Sequence, residues 1–442
     1  MNGSFPAPAS AGPVADGFPA EAVRDRARRG TAAVFPGVDS YGSTLFGADP
    51  GPSPAHSDAL DAFRLVPPVF MPQRLEKLID LAREPLHHDV DLATSIGGFA
   101  STAPLYLSAF GSTRIAGGDL GLAASRQAGR LGIPMVIGEN IVPVDGYGRD
   151  GAEDASPERA LLARLRGYLG EVADGAGGVV VQQSTEDADA EVWNLVHSDP
   201  AAGPLLDSGR LAFELKVGQG AKPGLGGMTV LPRAQAERVS EQYAVDTSLD
   251  ADGERMLRCS SPGTFTEEIL RQQIRLMRNN FPRVKVWVKL PPGRDVGEAA
   301  RVAWEGGADA VTVDGAEGGS GWAPTAFLHH VGLPLGECLQ RVGPQPQHDL
   351  LASGRMWEGA RAVKALALGA RAAGLGRAAL LAVAEDPEHG LVRLVEALAL
   401  ELRLLISSVG KYRACDLSPD DLWRPGHGRA AQEAAPLTGR AT

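Results

Sequence analysis

The stretch FELKVGQGAKPGLGGMTVLPR, residues 213–233, begins with a strand pattern and continues as a glycine-rich loop. Apolar and charged residues alternate through FELKV, which is typical of a half-buried strand. The glycines that follow let a ligand approach the backbone closely. Gln219 and Lys222 are the polar groups of the loop, and Lys222 carries a point charge suited to a carboxylate, a phosphate or an electron-rich ring. We interpret the stretch as a strand leading into a binding loop, although its composition also suits a flexible surface loop.

After residue 100, short apolar runs of strand length alternate with helical patterns, and they give eight candidate strands that include the one just described. The candidate strands are residues 105–110, 134–139, 179–184, 212–219, 285–290, 310–316, 349–354 and 372–377. Helical patterns lie between them at residues 119–131, 157–172, 188–197, 233–243, 266–279, 295–306 and 357–368. Runs of Val, Ile and Leu that alternate with helices indicate parallel strands buried on both faces. Eight such units predict an α/β fold of the (β/α)8 TIM barrel type.

The remaining chain predicts an extension at each end of this barrel. Residues 1–60 are rich in Pro, Gly, Ala and Ser, with one short helical patch at residues 20–29, and predict a partly ordered N-terminal extension. Residues 61–424 would form the barrel and a C-terminal closing helix, and residues 425–442 a flexible tail. The first residues lack the pattern of a secretory signal, and no apolar run is long enough to suggest a membrane span.

Composition excludes several functions. The chain has 442 residues and a formal charge of −11, which argues against a nucleic-acid surface. Cys259, Cys338 and Cys415 are far apart, so neither a disulfide framework nor a zinc or iron–sulfur ligand set is suggested. His87 and His88 are adjacent and would point to opposite sides of an extended chain, which favours a structural or solvent-facing role over metal binding. We expect no metal, no nucleic-acid or membrane partner, and a reducing cytoplasmic location.

Candidate site residues follow the strands, because chemistry in this fold gathers where each strand ends. Lys289 ends the fifth strand among apolar neighbours and should project into the barrel mouth. An alternative role for Lys289 is a buried ion pair with Asp314 or Glu317. Glycine-rich turns follow the seventh and eighth strands, where backbone N–H groups at a helix start can surround a phosphate. The residues of these turns are Ser353, Gly354, Arg355, Gly376 and Arg377.

Five motifs together resemble a known family. They are VGQGAKPGLGG (217–227), VWVKL (286–290), VDGAEGGSGWAP (313–324), FLHHVGLPLGECL (327–339) and GLGRAAL (374–380). Their order and spacing are similar to those of the FMN-binding barrel domain of glutamate synthase and its stand-alone relatives. The similarity covers roughly residues 86–422.

The resemblance implies FMN as the cofactor and assigns roles to the candidate residues. FMN phosphate would lie against Gly354, Gly376 and Arg377, with Gln183 and Lys289 on the isoalloxazine ring and Ser108 and Ala109 along it. A cation such as Lys289 suits a reduced flavin ring, whose charge needs a fixed counter-charge. Further cofactor-binding candidates are Gly318, Gly319, Ser353 and Arg355. The catalytic candidates are Lys222, Gln219 and Glu317.

Departures from the family concern the substrate half of the site. Residues 382–400 contain no cysteine where the family carries a cluster, so no iron–sulfur centre is expected. Leu225 and Met228 stand where the amination enzyme carries polar Glu and Gln, and Ala316 replaces a His. The FMN half is therefore retained, while the substrate half is altered toward apolar residues.

These observations predict a glutamate synthase-like, FMN-dependent oxidoreductase that acts on a small amino, imino or hydroxy acid. Two alternatives share the barrel and the cofactor: a non-redox isomerase similar to type 2 isopentenyl diphosphate isomerase, and a non-catalytic flavoprotein subunit. The expected partners are a small-molecule substrate, a separate electron-donor protein and further copies of the chain in a homo-oligomer.

Overall fold

A computed structural model of the chain describes most of the predicted barrel. The described residues are 18–34, 59–69, 84–111, 120–139, 141–142, 147, 160–183, 188, 191–220, 229–238, 240, 243–246, 255–259, 265–318 and 325–424. Lys222, Leu225, Met228, Gly319 and the tail from residue 425 lie outside these ranges.

Within the described residues, eight parallel strands close into a barrel. They are β1 (Leu105–Phe110), β2 (Met135–Ile137), β3 (Val179–Gln183), β4 (Leu211–Lys216), β5 (Lys285–Leu290), β6 (Ala310–Asp314), β7 (Asp349–Ser353) and β8 (Ala372–Leu375). Each strand pairs with the next along the chain, and β8 returns to β1 with Ala373 opposite Leu105. The predicted (β/α)8 barrel is confirmed, with each strand close to its expected place.

Helices surround the barrel and cross its ends. Their bounds are Ala20–Arg29, Ala59–Ala62, Leu120–Leu131, Leu161–Leu169, Val192–Ser198, Gly203–Asp207, Arg233–Arg238, Glu267–Asn280, Val296–Gly306, Thr325–His330, Leu335–Val342, Gly359–Ala367, Arg377–Glu385 and the closing helix Gly390–Ser408. Thr266 caps one of them by accepting a hydrogen bond from the Ile269 N–H at 3.2 Å, as its position before two glutamates predicts. No helix in the described part of the chain is long and apolar enough to cross a membrane.

Smaller sheets lie outside the barrel. Thr94–Ile96 and Phe99–Ser101 form a hairpin, and Thr229–Pro232, Arg255–Arg258 and Val245–Asp246 form an antiparallel sheet after the glycine-rich loop. Arg64–Leu65 pairs with Leu422–Trp423. This last pairing joins a segment that precedes the barrel to the C-terminal end of the described chain.

The amino end of the barrel is plugged by apolar side chains. Ile96 and Phe99 of the hairpin pack against inward-facing residues of the strands, with Trp287 at the centre. The Trp287 Nε1–H donates to the Gly97 carbonyl at 3.2 Å, and a Cβ on Gly97 would lie 2.3 Å from the indole ring. Gly97, with φ of +55°, therefore has both a conformational and a steric reason to be glycine. Because this end is closed, a ligand has to enter at the carboxyl ends of the strands.

The N-terminal segment packs on the outside of the barrel. Arg26 Nη2 lies 2.5 Å from Glu401 Oε1 of the closing helix, and Arg28 Nη1 lies 3.0 Å from Glu385 Oε1. Asp61 reaches the loop after β7, where its carboxylate pairs with both Arg355 and Arg361. Described parts of the predicted extension thus make specific contacts with the barrel.

Candidate functional site

Polar side chains replace apolar ones above the Trp287 layer, toward the carboxyl ends of the strands. Side chains two residues apart on a strand point to the same face of the sheet. The residues that follow the inward-facing apolar layer by two positions therefore also point into the barrel, closer to its carboxyl end. The buried polar residues at this level are Ser108, Gln182, Glu214, Lys289, Thr312, Asp314 and Ser353. They come from six different strands, so the barrel mouth is a polar chamber built by the fold.

Lys289 forms a buried ion pair with Asp314. The Lys289 Nζ lies 3.6 Å from Asp314 Oδ2, and both side chains are almost fully enclosed. Asp314 also accepts a hydrogen bond from the Ser353 hydroxyl at 2.6 Å. Its Oδ2 accepts a further bond from the Gly220 N–H at 3.1 Å, which ties the start of the glycine-rich loop to the barrel wall. Lys289 therefore lies where the sequence placed it, and it also makes the ion pair considered as its alternative role.

Glu214 lies beside this pair on β4. Its carboxyl accepts a hydrogen bond from Gln182 Nε2 at 2.5 Å and one from the Thr312 hydroxyl at 3.2 Å. Burial raises the pKa of Glu214, and the nearby Lys289 opposes that rise. Burial, followed by the proximity of Glu214, likewise raises the pKa of Tyr106 on β1. The Glu214 carboxyl and the Tyr106 hydroxyl therefore have higher pKa values than the same groups on an exposed surface.

A second ion pair lies at the end of β4. The Lys216 ammonium contacts the Glu139 carboxylate, which follows β2. Both side chains are half-buried at the rim of the barrel. Sequence reasoning did not single out either residue, because a lysine that alternates with apolar residues is equally typical of a solvent-facing position.

The turn after β8 leaves room for an anion. The helix Arg377–Glu385 starts directly after Gly376, and a Cβ on Gly376 would have no heavy atom within 4 Å. Free N–H groups at a helix start attract negative charge. Arg377, the first residue of this helix, has an exposed side chain, and Asp314 contributes to its electrostatic surroundings. The geometry suits a phosphate at the predicted place.

The turn after β7 differs from its prediction. Gly354 has φ of +127° and Arg355 has φ of +53°, so the backbone turns sharply here. The Arg355 guanidinium donates to Asp61 Oδ2 at 2.8 Å rather than standing alone at the phosphate position. The fully buried Arg361 contacts the other oxygen of the same carboxylate, and Lys364 Nζ donates to the Asp61 carbonyl at 3.0 Å. Arg355 is therefore held in a cluster with Asp61.

His87 and His88 line a cavity that lies outside the barrel mouth. Its volume is about 490 Å³, and none of its lining residues belongs to a barrel strand. The lining residues are Thr31, His87, His88, Val90, Glu396, Ala399, Leu400 and Arg403. Among the residues that the structure describes, no group of three or more His, Cys, Asp or Glu side chains is placed to hold a metal ion.

Comparison with known proteins identifies the barrel. Residues 205–385 match the family described as the conserved region in glutamate synthase. This part of the barrel is similar to glutamate synthase. The matched residues include β4 to β8 and hence Glu214, Lys289, Asp314 and the turn at Gly376. The family resemblance seen in the sequence is confirmed.

Relatives of the glutamate synthase-like domain share about one third of its residues. A glutamate synthase large subunit-like protein of Rhizobium meliloti (strain 1021) is 33% identical over 186 residues, covering 40% of this chain and 41% of that protein. An archaeal-type glutamate synthase [NADPH] of Dehalococcoides mccartyi is 34% identical over 186 residues, covering 40% of this chain and 36% of that protein. The match thus spans about two fifths of the length of these relatives.

Solved structures share the fold at lower identity. A soluble mutant of the membrane-associated (S)-mandelate dehydrogenase from Pseudomonas putida has a TM-score of 0.51 and 18% identity, with 93% of each chain covered. A mutant flavocytochrome b2 with pyruvate bound has a TM-score of 0.51 and 16% identity, covering 87% of this chain and 80% of that one. These likenesses support the barrel architecture.

Several of the predicted site residues lie at the mouth of the barrel. Ser108 is buried on β1, and a register shift between β1 and β2 accompanies the packing of Ala109 against the inner apolar cluster. Gly318 lies against Asp314, since a Cβ there would meet Asp314 Oδ1 at 2.3 Å. Gln219 is half-buried next to Gly220. These positions are compatible with the predicted roles, which stay predictions.

Two predicted residues are placed differently from the expectation. Gln182 is the buried glutamine of β3, whereas Gln183 is partly exposed at the strand end and faces the opposite side. The Glu317 carboxylate accepts from the Leu335 N–H at 3.1 Å, which caps the helix Leu335–Val342. A catalytic role for Glu317 stays a prediction, and the observed contact gives it a structural one.

Proposed function

We propose that this chain is an FMN-dependent oxidoreductase that acts on a small amino, imino or hydroxy acid. The observation that carries the proposal is Lys289, an ammonium group enclosed at the barrel mouth within the glutamate synthase-like domain and paired with Asp314. Burying a cation away from water costs free energy unless an anionic partner or a ligand compensates its charge. At the end of β5, Lys289 faces the region in which a flavin ring would lie.

The residues present fit FMN at both of its ends. The open helix start at Gly376 and the positive charge of Arg377 suit the phosphate. Lys289 suits the electron-rich ring, and the small side chains of Ser108 and Ala109 leave space beside it. FMN, when bound, supplies the transfer of a hydride to or from the substrate.

The chain's own residues would orient the substrate and keep water from the reaction. The bond from the Gly220 N–H to Asp314 ties the start of the glycine-rich loop to the barrel wall. Lys222 follows two residues later in the sequence and would anchor one carboxylate or carbonyl of the substrate. Leu225 and Met228 supply no polar partner for a second carboxylate, so a dicarboxylate would leave one charge facing apolar groups. We therefore propose a substrate with one acid end and a less polar remainder, and not the formation of glutamate from 2-oxoglutarate and ammonia.

The proposal also includes a separate electron-donor protein and a homo-oligomeric assembly. The isomerase and the non-catalytic subunit are outcomes of the experiment that follows.

The purified protein is expected to be yellow and to hold about one FMN per chain non-covalently. Anaerobic mixing with monocarboxylate amino, imino and hydroxy acids should bleach or restore the flavin absorbance, whereas glutamate and 2-oxoglutarate should not. Lys222→Ala should bind FMN as the wild type does and lose most of this reaction. Reaction with the dicarboxylates alone, at the same rate in Lys222→Ala, would overturn the substrate assignment. A preparation that cannot be loaded with FMN would overturn the cofactor assignment, and bound FMN without any redox reaction would favour the alternatives.

Arg377→Ala is expected to weaken FMN binding by about 1.5 kcal/mol, or roughly tenfold in Kd, through the loss of a charge-assisted contact with the phosphate. The value is at the low end of the usual range because the side chain is exposed to solvent. Fluorescence titration of the apoprotein with FMN and with riboflavin, which lacks the phosphate, measures the effect. The loss should be confined to FMN.

Arg371→Ala is the matched control for this experiment. Arg371 lies next to the amino end of β8 and pairs with Asp349 at 3.1 Å, at the opposite end of the strand from the mouth. Its replacement should leave FMN affinity unchanged. Equal losses of affinity for FMN and for riboflavin in Arg377→Ala would show that Arg377 does not contact the phosphate, and the proposed phosphate site would be wrong.

A further inference from the structure

The inner wall of the mouth carries more acid than base. Glu214 is 1% exposed and Asp314 is 2% exposed, and between them lies one ammonium group, that of Lys289, at 6%. At the rim, the positive charge of Lys216 is compensated by the negative charge of Glu139. If Glu214 and Asp314 were both ionised, the enclosed described part of the wall would hold one uncompensated negative charge, which is costly away from water.

The hydrogen bonds distinguish the two acids. Asp314 receives the ammonium of Lys289 at 3.6 Å, the hydroxyl of Ser353 at 2.6 Å and the N–H of Gly220 at 3.1 Å. Donors of this kind, one of them charged, stabilise a carboxylate. Asp314 is thus the acid that the structure favours in its ionised form.

Glu214 is surrounded by neutral groups at hydrogen-bond distance. Gln182 Nε2 lies 2.5 Å from Oε2, and the Thr312 hydroxyl lies 3.2 Å from Oε1. A hydroxyl can accept as well as donate, so a proton on Oε1 of Glu214 can be donated to Thr312 without any change of geometry. The titratable groups that influence Glu214 from the neighbouring strands are Tyr106 on β1, Lys289 on β5 and Asp314 on β6.

We infer that Glu214 is a neutral carboxylic acid in the folded protein, and that Asp314 is the carboxylate that neutralises Lys289. The wall then contains one cation, one anion and one enclosed proton. The direction in which burial moves the pKa of Glu214 agrees with this assignment.

The consequence for catalysis rests on the proposed function. A neutral Glu214 leaves the field of the ion pair unchanged, so Lys289 can stabilise additional negative charge on a ring above it. An ionised Glu214 would oppose that charge. Glu214 is thus a positioning residue that acts through Lys289, and electron uptake by the cofactor should become less favourable when pH rises enough to ionise Glu214.

Infrared spectroscopy tests the inference on the folded chain, with or without FMN. At neutral pH the wild type should show a carbonyl band of a protonated carboxylic acid that shifts in D₂O. The band should be missing from Glu214→Gln, an isosteric neutral variant. Loss of carboxylate absorbance from Glu214→Gln, with no loss of an acid band, would overturn the inference.

The wild-type pH titration covers the case in which a variant folds poorly. An acid band should persist through neutral pH and disappear only under alkaline conditions. Burial also raises the pKa of Glu358, so Glu358→Gln serves as the control. An acid band that Glu358→Gln removes completely would overturn the assignment to Glu214, and its retention in Glu358→Gln would support it.

The flavin midpoint potential gives a second measurement in the FMN-loaded protein. Glu214→Gln should match the wild type at neutral pH. At alkaline pH it should keep the fall in potential that comes from proton uptake by the flavin itself and lack the additional fall that ionisation of Glu214 causes in the wild type. A higher potential in Glu214→Gln at neutral pH would show that a negative charge had been removed, which contradicts the inference. The infrared result requires no flavin, so failure of this inference is distinguishable from failure of the proposed function.

Discussion

Replacing Lys289 with methionine is expected to lower the free energy of unfolding by about 3–5 kcal/mol, because the buried Asp314 would keep its charge and lose its cation. The aliphatic length of the side chain is retained, so the packing against the strand neighbours changes little. The same substitution should strongly reduce FMN retention, since the ring loses its fixed counter-charge. Chemical denaturation of the apoprotein and FMN titration measure the two effects separately.

Lys285→Met provides the matched control for this result. Lys285 begins β5, at the plugged end of the barrel, and Lys289 lies one residue before its other end. We expect its replacement to cost about 1 kcal/mol or less and to leave FMN binding unchanged. The double variant Lys289→Met with Asp314→Asn should regain part of the lost stability, because the stranded charge is removed. If Lys289→Met alone lowered the free energy of unfolding by less than about 1 kcal/mol, the ion pair of Lys289 and Asp314 would not stabilise the fold as proposed.

Asp61→Asn is expected to lower the free energy of unfolding by about 3 kcal/mol. The carboxylate pairs with Arg355 and Arg361, and the Arg361 side chain is fully buried, so the substitution leaves guanidinium charge enclosed without this partner. Because Arg355 follows Gly354 in the turn after β7, FMN affinity should fall as well. Thermal unfolding and FMN titration of the variant measure both consequences.

Asp25→Asn is a suitable control for Asp61→Asn. Asp25 also lies in the N-terminal segment and pairs with Arg29 one turn later on a helix surface, where both side chains are exposed. A surface pair of this kind contributes about 0.5 kcal/mol or less. Equal effects of the two substitutions would mean that Asp61 acts only as another surface charge.

The barrel could be predicted because its signal is local and repeated. The runs that became β5 and β6 are continuous apolar segments bounded by turns, and their length and composition determine strand structure without help from distant residues. Lys289 was found for the same reason, since a lysine at the end of such a run has only the mouth to enter. Its pairing with Asp314 was one of two alternatives that the sequence left open.

Glu214 was missed because its strand follows a misleading pattern. In FELKV the charged residues alternate with apolar ones, which usually means that the charged face meets solvent. In this barrel Phe213 faces the surrounding helices and Glu214 faces the enclosed mouth. The alternation correctly predicted a strand. Closure of the barrel, however, encloses the face that carries Glu214, so this face does not meet solvent.

Asp61 was missed for a different physical reason. It lies near a segment whose composition suggests little order, and its partner Arg355 is 294 positions away along the chain. Local patterns contain no information about a contact of this separation. The same limit applies to Arg355, whose sequence position after β7 suggested a phosphate ligand and whose side chain is instead engaged by Asp61.

The distance between Asp61 and its partners also concerns the order in which the protein is made. Synthesis proceeds from the N-terminus, so the ribosome must add the 294 positions from Asp61 to Arg355 before the two can meet. At ordinary elongation rates this takes on the order of 15–60 s. The pairing of Arg64–Leu65 with Leu422–Trp423 has to wait longer still. During synthesis, side chains such as Val23, Leu60 and Phe63, which are buried in the folded protein, therefore lack their final partners until the C-terminal elements have been made.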